Sequence, residues 1–161
     1  MRHRGSWDKD ENKSFKNGPL VCPGKYKAVL SLGEKKLMTE FIIKKDPKLS
    51  VSDQDLRNLE LFQLKVTEKI TEAKNLENKI KKMLSEKKLS KRDQNVILKI
   101  QEDMTTKEGT YMQPMLVAQY NYLYSMLSRS DQEVGNDAHI RLKELNERLE
   151  KNKKIINSVS P

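Results

Sequence analysis

The residues able to do chemistry are few and scattered. Only two histidines occur, His3 and His139, and neither has a His or Cys partner at metal-ligand spacing. Cys22 is the only cysteine, so the sequence holds neither an internal disulfide nor a cysteine-based zinc set. It precedes Pro23-Gly24 and would need a base nearby to act as a nucleophile. A small apolar filler is the simpler reading. The acidic pairs Glu102-Asp103 and Asp53/Asp55 fall near helix ends, where capping and the helix dipole account for them. No Gly-rich phosphate loop, GxSxG or HExxH motif is present. The sequence therefore offers no catalytic, cofactor-binding or metal-binding residues, and the chain reads as a non-enzyme. His139, in the first turn of a helix, reads as a surface residue.

What remains is aromatic. Trp7 is a lone large aromatic in a polar segment, the pattern of an anchor onto a neighbouring surface. Tyr111, Tyr120, Tyr122 and Tyr124 cluster in one region. Their spacing spreads them round a helix, which predicts packing with the hydroxyls reaching solvent. These five residues are the candidate interaction surface. Asn12-Lys13-Ser14 matches a glycosylation acceptor, relevant only in a secretory setting.

The elements holding these residues must be built from little apolar material. Of 161 residues, 35% are apolar and 34% charged, against about 25% charged in an average domain. Long solvated helices fit that balance better than a deep-pocketed enzyme. No apolar run approaches the ~18 residues of a membrane span, and the N-terminus shows no secretory signal pattern. The net charge of +9 is uneven. Residues 1–50 hold 12 basic and 6 acidic groups, 51–112 hold 13 and 11, and 113–161 hold 7 and 6. The densest lysine run, Lys79 to Arg92, carries no aromatic residue, so a solvated helix end explains it better than a nucleic-acid groove.

Three regions follow. Residues 1–19 read as a flexible polar segment. Residues 20–47 read as a β-hairpin. Tyr26, Ala28, Leu30 and Leu32 alternate onto one face, and Leu37, Thr39, Phe41 and Ile43 do the same after a Gly33-Glu34 turn. A lone hairpin is marginal in water, so it must pack on something. Residues 52–159 read as a bundle of about four antiparallel helices. Ser52 with Asp55 caps the first helix, whose stripe runs Leu56, Leu59, Phe62 or Gln63, Val66, Ile70, Ala73, Leu76, Ile80, Leu84 to about residue 86. Ser90 with Asp93 starts a second helix bearing Val96, Ile97, Ile100 and Met104. Pro114 suits the first turn of a third, with Met115, Leu116, Ala118, Leu123, Met126 and Leu127 along it. A fourth begins near Asp137 with Ala138, Leu142, Leu145, Leu149 and Ile156. Glu144–Arg148, Glu147–Lys151 and Glu150–Lys154 are spaced to pair along its outer face. The fold class is α+β, mainly α.

Three stretches, in order, carry a family likeness. They are Gly18-Pro19-Leu20-Val21-Cys22-Pro23-Gly24-Lys25-Tyr26-Lys27-Ala28-Val29-Leu30, then Phe41 to Ser52 with its Asp46-Pro47 turn, then Tyr111 to Tyr124. Together they resemble the C-terminal region of sortilin-like, BNR-repeat β-propeller proteins, often labelled glycosyl hydrolases. The resemblance spans roughly residues 7–150. It implies an Ig-like β module, here partial, followed by helices. The Asp-box repeats of the propeller are missing, so no site residue transfers. The resemblance implies a noncatalytic C-terminal accessory module, a fragment or detached piece of an exported parent, whose partner is the missing propeller. An independent helical adaptor for a protein partner is the alternative, and a basic nucleic-acid-binding protein ranks below both. No small-molecule substrate is evident.

Overall fold

A computed structural model describes residues 2–4, 17–85 and 89–159. Four strands precede four helices: β1 (Arg2–Arg4), β2 (Asn17–Leu20), β3 (Gly24–Leu32), β4 (Lys35–Ile43), α1 (Asp53–Ser85), α2 (Lys91–Met104), α3 (Leu116–Leu127) and α4 (Asn136–Val159). The chain is α+β and mainly α.

The helices start where their sequence signals place them. The Ser52 hydroxyl accepts the Asp55 amide at 3.1 Å, while the Asp55 carboxylate accepts the Ser52 amide at 3.3 Å, a reciprocal capping box. Ser90 accepts the Asp93 amide at 3.1 Å. Helix α1 spans 33 residues, about 50 Å, and touches each of the other three helices. Its stripe is buried from Leu56 to Ile80. Ile97, Ile100 and Met104 of α2, Leu116, Leu123 and Leu127 of α3, and Leu142, Leu145, Leu149 and Ile156 of α4 close one core around it.

Helix α3 departs from expectation at its start. Pro114 lies outside it, and Met115 is the N-cap. The Met115 amide donates to the Thr106 hydroxyl at 2.8 Å, and the Pro114 carbonyl accepts from the Gln119 side chain at 2.6 Å. The Thr106 hydroxyl thus takes up the amide of the N-cap residue, an N–H at the helix start left without an intrahelical acceptor. At the other end, buried Gln63 of α1 donates to the Leu127 carbonyl at 2.7 Å, satisfying a C-terminal acceptor of α3.

Arg148 also departs from expectation. It turns from Glu144 to α2, where its guanidinium donates to the Asp103 carboxylate at 2.8 and 2.9 Å and to the Asp103 carbonyl at 3.2 Å. A bidentate pair on a neighbouring helix outcompetes a solvated pair along its own helix. Asn152 joins it, donating to Asp103 at 2.7 Å. Glu72 of α1 likewise accepts from Lys153 of α4 and from Lys69 at 2.6 Å.

Within residues 1–19, the described residues 2–4 and 17–19 take part in strands that the composition does not predict. Strand β1 pairs antiparallel with β2 through Arg2↔Leu20 and Arg4↔Asn17, with a register irregularity between them. Pro19 is fully buried and β2 lies against α1. Trp7 and Asn12-Lys13-Ser14 lie outside the described residues.

Candidate functional site

Strands β3 and β4 form a hairpin of nine antiparallel rungs, from Gly24↔Ile43 to Leu32↔Lys35. At ~3.4 Å per residue it is about 30 Å long. The turn is Gly33-Glu34. Gly33 has φ +57°, and the next residue does not share a positive φ, the pattern a type II′ turn demands. The register decides what alternation alone leaves open: Tyr26 faces Phe41, Ala28 faces Thr39, and Leu30 faces Leu37. Both apolar sets therefore share one side.

Among the described residues, only the base of the hairpin touches the helices. The Tyr26 hydroxyl donates to the Cys22 carbonyl at 2.7 Å, and the Cys22 amide donates to the Glu60 carboxylate of α1 at 3.1 Å. The Tyr26 and Phe41 rings stack at 5.9 Å. After β4, the Lys45 ammonium donates to the Val51 carbonyl at 2.8 Å and lies 3.7 Å from Asp53. Asp46 closes the turn, its side chain accepting the Lys48 amide at 2.9 Å and its carbonyl the Leu49 amide at 3.0 Å. A cavity of about 150 Å³ lies under this seat, between Leu20, Cys22, Ile43, Leu56, Leu59 and Leu127.

The electrostatics of the seat are those of an anchor. Partial burial, then a hydrogen bond to Glu60, push the Cys22 thiol up from its ordinary pKa. That leaves little thiolate at neutral pH, the reverse of what a nucleophile requires. Burial and the hydrogen bond to Cys22 push the Tyr26 hydroxyl up to about 12, so it stays a donor.

Beyond the Tyr26↔Phe41 rung the hairpin is solvent-exposed on both sides from Lys27 to Glu40. Leu30, Leu32 and Leu37 are 66%, 79% and 70% exposed. Soluble chains tolerate single exposed leucines, but three on one small face form a patch that calls for a cover. Among the described residues, neither outer edge of the hairpin pairs with a further strand. Composition could not reveal this. The sequence signals an apolar hairpin face, and only the tertiary arrangement leaves that face without helices against it.

The expected aromatic surface is divided. Tyr111 and Tyr122 are exposed, while Tyr120 and Tyr124 belong to the core. With Leu116, Leu123 and Leu127 they complete one helical stripe at spacings of 3 and 4. The expectation that their hydroxyls reach solvent fails for Tyr120, whose hydroxyl donates to Asn146 at 2.9 Å. Burial, then the charges of Glu72 and Glu150, push its pKa up. Tyr111 adopts φ +59°, a left-handed conformation costly for a non-glycine residue. Tyr122 and Met126 border an open groove of about 580 Å³ between α3 and α4, flanked by Gln119 and Arg141. His139 is exposed and its ring meets Phe62 edge-on at 4.6 Å.

Among the described residues no group of three or more His, Cys, Asp or Glu is placed to hold a metal ion. No helix among the described residues is long and apolar enough to cross a membrane. Comparison with protein-family models, with curated proteins and with solved structures finds no match to this chain.

Proposed function

We propose that this chain is a noncatalytic interaction module, in which the helical bundle is the mount and the β3–β4 hairpin is the arm that meets a protein partner. The observation that carries the reading is the exposure of Leu30, Leu32 and Leu37 on a hairpin seated only at its base. An isolated hairpin is marginal in water, and apolar area left in water forgoes about 25 cal/mol per Å² of stabilisation. A partner that covers the face or extends an edge recovers both losses. The narrower form of the proposal makes the partner the β-propeller of a sortilin-like, BNR-repeat parent. Its support is the three sequence stretches, together with strand edges left open for further strands. The groove beside Tyr122 and Met126 supports the adaptor reading as a second contact surface on the same bundle.

Hydrogen exchange on the dilute, isolated chain tests the proposal. The amides of residues 27–40 are expected to exchange with little protection while those of Val66, Ile70 and Leu149 are strongly protected. Protection of the arm equal to that of the helices, in a dilute monomer, would overturn it.

A further inference from the structure

The two faces of the arm differ in charge. One face holds Gly24, Tyr26, Ala28, Leu30, Leu32, Lys35, Leu37, Thr39, Phe41 and Ile43, with a single charge in ten residues. The other holds Lys25, Lys27, Val29, Ser31, Lys36, Met38, Glu40 and Ile42, four of eight charged. Its Lys27 and Glu40 pair at 3.1 Å. Side chains on the two faces point in opposite directions. A surface covering the first face must therefore be apolar and nearly uncharged, and the cationic groups of the second face do not oppose it.

That face has a pattern that fits itself. Its exposed part consists of three rungs: small Ala28–Thr39, then Leu30–Leu37, then large Leu32–Lys35. We propose, on the premise that the arm is the interaction surface, that this face is covered by the same face of a second copy. The two arms pack antiparallel about a two-fold axis crossing the Leu30–Leu37 rung. Isologous packing of this kind sets Leu37 over its own counterpart. It also sets the large Leu32–Lys35 rung of each copy over the small Ala28–Thr39 rung of the other. Large side chains meet small ones at both ends, as close packing of two sheet faces requires. The two Lys35 ammonium groups lie on opposite sides of the axis, and the two bundles at opposite ends of the paired arms. The alternative with both arms pointing the same way sets Lys35 over Leu32 and brings the two Lys35 groups together. A face of three rungs is smaller than permanent interfaces use, so the association is reversible.

Sedimentation of the full chain between roughly 10 µM and 1 mM tests it, since a weak interface fills across that range. The mass is expected to rise from the 18.8 kDa of one chain toward twice that value. Leu37→Glu is expected to remain a monomer throughout with unchanged helical circular dichroism. A second measurement fixes the face. On a Cys22→Ser background, Leu37→Cys is expected to form an intermolecular disulfide under mild oxidation at least tenfold faster than Lys36→Cys, whose side chain lies on the other face. A wild-type monomer at 1 mM would overturn the proposal, as would equal cross-linking at positions 36 and 37, and would assign the face to a different protein. Unprotected exchange in the dilute arm would still stand in that case, so failure of the dimer and failure of the arm reading are distinguishable.

Discussion

The bundle and the arm use the same kinds of apolar residue with opposite outcomes. Leu149 of α4 is fully buried, whereas Leu32 of β3 is four-fifths exposed. Both sit in periodic apolar patterns, one of helical period and one of period 2. The difference is the number of surfaces available to cover them. Each helix stripe meets other helices, while among the described residues the hairpin meets the bundle at its base, where Cys22 bonds Glu60 and Lys45 lies beside Asp53. Apolar periodicity states that a face wants cover; it does not state that the same chain supplies it.

The sharpest way to break that contrast is truncation at matched leucines. Leu149→Ala is expected to lower the stability of the dilute chain by about 3 kcal/mol in urea unfolding. Leu32→Ala is expected to change it by less than about 0.5 kcal/mol. Comparable losses would mean that the arm packs on the bundle.

The polar ties within the bundle come next. Arg148→Ala leaves the Asp103 carboxylate without its bidentate partner and is expected to cost about 2 kcal/mol. Partial burial raises the Asp103 pKa, but Arg148 and Asn152 outweigh it and hold the carboxyl below its ordinary 3.8. The same competition, won by Lys153 and Lys69, holds Glu72 below 4.5. A depressed folded-state pKa gives stability that is complete above the unfolded value and is lost as pH falls through the folded one. Acid titration of the helical signal is therefore expected to show bundle stability declining as pH drops below these two ordinary values. Arg148→Ala is expected to flatten the part due to Asp103.

Much of the bundle was legible in the sequence. The stripe from Leu56 to Ile80, the Ser52 and Ser90 caps and the Leu142–Ile156 stripe appear as read, because each is set by local backbone geometry. The exceptions were residues whose partners lie far along the chain. Tyr120 and Tyr124 look like surface aromatics until α1 and α4 close over them. Arg148 has a good partner four residues before it, and a better one 45 residues before it in Asp103. The short β1–β2 pair is not legible in the sequence because Asn17–Leu20 contains both a glycine and a proline.

Smaller effects refine the contrast inside the arm. Gly33→Ala meets no atom within 4 Å, so only its φ of +57° opposes the change. The cost is expected to be about 1 kcal/mol, confined to the arm: it removes what little exchange protection β3 and β4 have and leaves helix unfolding unaltered. A matching loss in the helices would mean that the two regions unfold as one. Smallest of all, the raised pKa of Cys22 is expected to slow its alkylation near about pH 8 relative to the urea-unfolded chain. A faster rate in the folded chain would identify an activated thiol at the seat of the arm.

By itself the sequence determined where the helices begin, which faces are apolar, that β3 turns back at Gly33, and that the charged groups spread over solvated surfaces. These are properties of neighbours in the chain, fixed by periodicity, capping and turn chemistry. The tertiary structure decided which apolar faces find one another. It buried Tyr120 and Tyr124, sent Arg148 to Asp103, and left Leu30, Leu32 and Leu37 facing outward. Burial belongs to pairs of surfaces, and no single segment specifies whether its partner lies in the same chain.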